Sequence, residues 1–487
     1  MDNIAYNSLI QSGAGQPLGG KEFRFPLNGY SSTIHASRMP SAYTPGSVNV
    51  ILNTVGNLDA SGGTRPGLKA FKGTQPETKN RFYWIWPNGE TIAWNKDNLM
   101  SVDELGDRIV MPNGTVMFNP HEYFNVTATK GEVPPNAYCV SWYRDRMIVG
   151  HKEIWYASRI GDYSDFDYGG DAEDVSRAVA GNLSLDGREG DSITCVAAIH
   201  NIALVMATQH TLWIVSGEIT QSLTLVSDCI GIVEKDSWCW DGSRFWFMSY
   251  NGLYSMALGE KPVEMTGHMR DKVRGWLHAT LIYDPERHGI HIIGYDENIN
   301  VTDWFYDIAN NAMWYLRYPE KMRPLGGGLA MIDKHGNKGK VVFYCADGVF
   351  RYWDEDLDTD DGVAIESALA LGPVCHTTGN TECAFLAELD CTLAAWTGTS
   401  ARLSGFCGVN FDEVRRWLCY TTMDTSPDDW SNLGDFHYTI NTMWHHVLRP
   451  RKRCNTFGMF IWSLSGKWRL QSVTAVHRGC GRIRKAY

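Results

Sequence analysis

The 487-residue sequence predicts a mainly β fold, an irregular six-bladed β-propeller with an additional C-terminal β domain. Three observations carry this reading. Gly (48), Trp (19), Tyr (22) and Phe (18) are plentiful while helix-forming patterns are scarce, as expected of many short strands joined by tight turns. A strand–turn–strand event recurs six times between about residue 80 and residue 355. An acidic run and then a one-sided basic region set the C-terminal part of the chain apart. With 44% hydrophobic residues the chain has enough apolar surface for a large core and two or three domains.

Residues 1–75 read as an N-terminal arm with the strands that lead into the propeller, and Gly13–Gly20 follows no strand, so it reads as a flexible arm rather than a dinucleotide loop. The propeller is expected over 76–355. Its units are Arg81–Trp94 turning at Asn88-Gly89, Ala137–Tyr156 turning near Arg144-Asp145, and Ser192–Ser216 turning near His200-Asn201. Ser237–Met256 follows, with turns at Asp241-Gly242 and Asn251-Gly252, then Leu281–Leu316 with turns at Pro285–Gly289 and Asn310-Asn311, and Leu329–Trp353 with turns at His335-Gly336 and Asp347-Gly348. Such turns demand positive φ and match the twist of antiparallel hairpins. Meanders of this size bury both faces only when stacked around an axis. The Gly-His…Trp-Asp signature is absent, which makes the propeller irregular, and a β-sandwich chain would give similar strands.

Two helices are expected to interrupt the β rhythm: His268–Leu277, with Met269, Val273, Trp276 and Leu277 at helical spacing, and a weaker one at Ala172–Val179. Asp354–Gly362, DEDLDTDDG, holds too many like charges to be buried and marks a boundary, giving an acidic linker over 356–371. A C-terminal β-rich domain with a basic tail is expected over 372–487, strand-rich at Gly372–Ala394 and Trp444–Val473. Cys375, Cys383 and Cys391, eight apart, fall on one side of a strand unless Thr378–Thr381 turns the chain.

Several function classes find no support. No apolar run reaches the roughly 18 residues that cross a bilayer, and the N-terminus lacks the basic-then-apolar order of a secretory signal, so a soluble, unexported chain is expected. The twelve cysteines contain no CxxC pair and are expected as free, mostly buried thiols. There is no G-x-S-x-G elbow, no H-E-x-x-H helix and no P-loop. No catalytic, cofactor or metal residue is therefore assigned, and a non-enzymatic chain is expected. Asp356, Asp358 and Asp360 match positions 1, 3 and 5 of a calcium loop, but the sixth position is Asp361 and the twelfth Ser367, where Gly and Glu are needed. His437, His445 and His446 have no Cys or carboxylate at ligand spacing nearby. Asp284 with Glu286, or Asp162, Asp165 and Asp167, are candidates for the acid/base pair of a sugar-cleaving propeller, although turn capping is the commoner role of Asp in such contexts. Sequons at Asn113, Asn125, Asn182 and Asn300 read as chance matches.

The net charge of −11 hides an asymmetry. Beyond Asp435 there is no acidic residue, while Arg449, Arg451, Lys452, Arg453, Lys467, Arg469, Arg478, Arg482, Arg484 and Lys485 make ten basic ones, so the first 435 residues carry −21. Such a block suggests an acidic partner, a neighbouring subunit or nucleic acid.

Five segments, in order, resemble the tail nozzle (packaged-DNA stabilisation) proteins of short-tailed bacteriophages. They are Asn49-Val50 with Gly63–Leu68 (GTRPGL), Glu153–Phe166 (EIWYASRIGDYSDF), Leu281–Leu316 with its YDPERH and WFYD…WYL phrases, Tyr352–Ile365 (YWDEDLDTDDGVAI) and Pro450–Trp462 (PRKRCNTFGMFIW). The departures are Pro450 and the second basic cluster in Val476–Tyr487. The resemblance implies a virion structural protein without turnover chemistry, assembled in the host cytoplasm into the viral tail. It further implies a ring, a homohexamer, that continues the DNA channel below the connector and adaptor, with adaptor proteins, tail needle, fibre or spike proteins and the passing genomic double-stranded DNA as partners. On this reading Arg449, Arg451, Lys452, Arg453, Arg482, Arg484 and Lys485 are the expected subunit or adaptor interface. A glycan-binding or glycan-cleaving propeller tail protein and a cellular propeller scaffold are the alternatives.

Overall fold

The computed structural model describes most of residues 17–482; residues 1–16, 32–42, 71–81, 95–114, 119–127 and 483–487, with shorter loop stretches, lie outside the described residues. The chain divides into two compact units. One comprises Leu68–Ala309 and Tyr318–Trp353, and the other Met1–Gly67, Asn310–Arg317 and Asp354–Tyr487.

The first unit is a propeller of six small antiparallel sheets. Blade one is built from Phe82–Ile85, Thr91–Trp94 and Thr115–Phe118, and blade two from Cys139–Tyr143, Arg146–His151, Ile154–Ala157 and Val179–Asn182. Blade three spans Ile193–Ser227 and blade four Trp238–Glu264, each with four strands. Blade five contains Trp276–Asp284, Gly289–Asp296 and Val301–Asp307. Blade six joins Pro324–Met331, Lys340–Cys345 and Phe350–Asp354 to the early strand Gly67–Ala70, so a segment from near the N-terminus completes the last blade.

Local chemistry explains the hairpins. Tyr143 stands opposite Arg146 with only Arg144 and Asp145 between them, both at positive φ (47° and 56°), the two-residue turn that matches strand twist. Blades then cover one another. Ala203–Thr208 and Phe245–Ser249 are buried at every position rather than at alternate ones, as strands sandwiched on both faces must be. Ile148, Trp155, Val196 and Met206 pack between blades two and three, Val205, Ile214, Phe247 and Met256 between three and four, and Ile282, Ile293 and Phe343 between five and six. Trp246 and Tyr306, with ring centroids 5.4 Å apart, close the step from blade four to blade five. Pro324–Met331 of blade six packs on Thr115–Phe118 of blade one.

Of the two expected helices, the one at 172–179 does not form, and most of the other, residues 270–275, lies outside the described residues. Among the described residues of 268–277, Gly267–Met269 is a 3₁₀ turn, and Trp276 and Leu277 open a strand in which the Trp276 indole is fully buried. A short apolar run satisfies either period, and sheet pairing of Trp276 with Asp296 decides it. At 172–179 the chain makes turns, because Asp171 and Asp174 accept the backbone N–H groups of Glu173 and Ser176 and so compete with helical hydrogen bonds.

The second unit is layered sheet on sheet on helix. A five-stranded sheet orders Ser47–Val48, Ser367–Cys375, Thr456–Ser463, Ala401–Gly408 and Phe436–Ile440. A seven-stranded sheet centres on the long pair Glu382–Ala395 and Trp468–Arg482. Thr456–Ser463 is buried throughout because one face meets the other sheet, where Phe457 lies 5.3 Å from His477, and the other meets the helix Phe411–Cys419. Gly458 is small by necessity: a Cβ there would stand 2.6 Å from Leu418 and 3.0 Å from Val414 of that helix.

Two expectations about this region are corrected. Pro17–Arg24, which includes Gly19 and Gly20, is not a free arm but a strand paired with 472–478. The stretch 356–371 is not a solvated linker: Thr359–Asp360 pairs with Val363–Ala364, Ser367–Cys375 is a core strand, and Asp360 is buried because Arg65 supplies its counter-charge. The eight described cysteines are free and six are buried.

Candidate functional site

Two of the segments that carry the family resemblance, the first and the fourth, converge on one buried network. Arg65, with no exposed side-chain surface, forms a two-pronged ion pair with Asp360, Nη1 to Oδ1 at 2.8 Å and Nη2 to Oδ2 at 2.6 Å. Its remaining donors go to Asn49 Oδ1 (3.0 Å) and the carbonyls of Pro66 (2.9 Å) and Arg317 (3.2 Å), so every guanidinium nitrogen is used. Asn49, at φ 53°, also accepts the Arg317 N–H at 2.8 Å and donates to the Glu366 carbonyl at 2.8 Å. Gly67 donates its N–H to the Leu357 carbonyl, and a Cβ there would stand 2.1 Å from the Thr359 carbonyl oxygen, which explains the Arg-Pro-Gly order. A buried charge pair is tolerable only with such full satisfaction.

The phrase Ser158–Asp162 performs similar work in blade two. Buried Arg146 donates to the carbonyls of Ser158, Val175 and Arg177, and Arg159 pairs with Asp174 at 2.6 Å, pinning the loop between two strands. Asp162, Asp165 and Asp167 cap turns by accepting the N–H groups of Ser164, Asp167 and Gly169. Asp284 likewise accepts from the N–H groups of Glu286 and Arg287, while Glu286 is exposed. Burial pushes the Asp284 carboxyl up, but the hydrogen bond and charge of His291 and the Arg287 guanidinium outweigh it and hold the group below the usual carboxylate range. A general acid needs the opposite shift.

Of the expected interface residues, Arg449, Arg451, Lys452 and Arg453 lie on the edge of the seven-stranded sheet. Leu448 stands opposite Leu389 and Lys452 opposite Leu386, so Arg449, Pro450 and Arg451 face only Ala387 and Glu388. The extra residue is a β-bulge, with Arg451 at φ 51° and Pro450 where no ladder N–H is available. Arg449 is paired with a carboxylate of the neighbouring strand, reaching Glu388 at 3.4 Å, and His445 reaches Asp390 at 2.6 Å. Arg451, Lys452 and Arg453 are exposed and carry no ion pair or side-chain hydrogen bond among the described residues. Arg482 stands opposite Glu382 in the ladder, and Arg484 and Lys485 lie outside the described residues.

The other candidates have structural roles or fall outside the description. His437 bonds Ser404 Oγ at 2.9 Å, and Asn182 caps a turn at Ser184. No group of three or more metal-type side chains that could hold an ion occurs among the described residues. Asn113, Asn125, Asn300 and the turns at Asn88-Gly89 and His335-Gly336 lie outside the described residues. Burial pushes the thiols of Cys139, Cys195 and Cys239 upward and that of Cys391 up to about 12, so these are poor nucleophiles. No helix among the described residues is long and apolar enough to cross a membrane.

No protein-family model matches the chain, and no curated protein matches it. Among solved structures it is similar to a chain of a mitotic checkpoint complex (11% identity, TM-score 0.29, covering 46% of this chain and 64% of that one). It is also similar to the extracellular domain of a one-component system from B. thetaiotaomicron (10%, TM-score 0.33, covering 70% and 44%) and to TolB from Acinetobacter baumannii (12%, TM-score 0.26, covering 58% and 65%). In each case the chain spans less than two thirds of its match. The propeller assignment rests on the six sheets themselves.

Proposed function

We propose that this chain is a structural tail nozzle protein of a short-tailed bacteriophage, one subunit of a ring that continues the DNA channel below the connector and adaptor, retains packaged DNA and conducts it during ejection. The observation that supports this most is the Arg65–Asn49–Asp360 network. It joins residues from two of the segments that resemble the family, Asn49 and Arg65 of the first and Asp360 of the fourth, separated by up to about 310 positions. Chance matches have no reason to meet around one buried guanidinium. Charge supports the reading as well: a body carrying −21 over its first 435 residues suits passage of a polyanion, because Lys and Arg lining would grip the phosphate backbone. The aspartates available to a glycan-cleaving alternative, Asp162, Asp165, Asp167 and Asp284, are engaged in turn capping.

Negative-stain images of the purified chain provide the test. Rings with an axial hole, six-fold in the simplest case, are expected. Particles that stay monomeric at every concentration contradict the proposal.

A further inference from the structure

The sheet-and-helix unit carries two opposite, unneutralised charges at opposite corners of one sheet. The basic corner is the bulged edge with Arg451, Lys452 and Arg453, paired with the Ala384–Leu389 part of the long strand. The acidic corner lies beside the far end of that strand, where Ala395 stands opposite Trp468. There Lys467 donates to the Glu355 carbonyl and Gly67 to the Leu357 carbonyl, fixing a stretch whose Asp356 and Asp358 are exposed and have no side-chain partner among the described residues.

From Ala387 to Ala395 the strand runs about 27 Å. Two strands also separate the bulged edge from Gly62–Thr64, the strand leading to Arg65. The two corners therefore cannot meet in one molecule. The bulge and Pro450 also block strand addition at this edge, leaving its side chains to make any contact. Opposite charges at opposite corners of one body describe a heterologous, head-to-tail junction. We propose that the Arg451–Arg453 edge of one copy docks on Asp356 and Asp358 of the next copy. This rests on the ring proposed above and names its junction.

Charge reversal in the full chain tests it, read by light scattering after size exclusion at roughly 0.05 M and 0.5 M salt. Arg451→Glu/Lys452→Glu/Arg453→Glu and, separately, Asp356→Lys/Asp358→Lys are each expected to associate at least about tenfold more weakly than wild type. Mixing the two variants is expected to restore assembly, because in alternating order every junction again joins opposite charges. Asp412→Lys/Asp429→Lys, on other exposed acids, is expected to stay within about twofold of wild type. Thermal melts matching wild type show that each variant folds, and Gln and Asn at the same positions give the same order with smaller losses.

Variants that assemble as wild type does, or a mixture that fails to recover, overturn this junction while leaving the ring standing. A wild-type chain that never assembles overturns both.

Discussion

Arg65 and Asp360 show what a single residue decides in this fold. Removing one partner of a buried ion pair strands the other charge, so Arg65→Met is expected to cost about 3–5 kcal/mol in denaturant titration. Arg65→Met combined with Asp360→Leu should recover much of that loss, because no charge is then left buried. Asp284 gives a second prediction. Its folded-state carboxyl is depressed, so its contribution is full above the unfolded value and is lost as pH falls through the folded one. Asp284→Asn should therefore destabilise by about 2 kcal/mol at neutral pH, with the difference from wild type persisting in melts down to about pH 4 and shrinking only as pH falls further, through the lower folded value. These roles were only half legible in the sequence. Asn49 and Arg65 stood out through the resemblance and Asp360 through an apparent calcium loop, but pairing across 295 positions has no local signal.

At the scale of elements, turn chemistry was the readable part. Arg144-Asp145 turns where the sequence places it, because a tight hairpin is a local decision. The helix Phe411–Cys419 was missed although Val414 and Leu418 stand four apart behind Asp412 and Glu413, the spacing and first-turn charge of a short helix. Trp276 went the other way, its helical spacing overruled by sheet pairing. The bulge at Arg449–Arg451 was visible only as an out-of-place Pro450. Its physical effect is to break a flat edge that would otherwise invite pairing. Deleting Arg451 together with Pro450→Val should straighten the edge and raise aggregation severalfold in light scattering without lowering the melting temperature by more than a few degrees.

Across the whole molecule, the six-blade count was legible because each blade repeats the same hairpin grammar. The division of the chain was not. The N-terminal strands and 310–317 belong with the C-terminal unit, and Gly67–Ala70 completes the last blade. Only long-range pairing sets such assignments, and composition does not report it. The one-sided charge of the C-terminal block is softened at one position, since Glu388 pairs with Arg449, and Arg451, Lys452 and Arg453 carry no counter-charge among the described residues.

The proposed tail role is tested most directly by locating the protein in the virions whose genome encodes it, with antibody-labelled electron microscopy and density maps of the tail. The account predicts label confined to the tail, on a ring below the connector into which the six-bladed unit fits. Virions that lack the protein, or label only away from the channel axis, would contradict it.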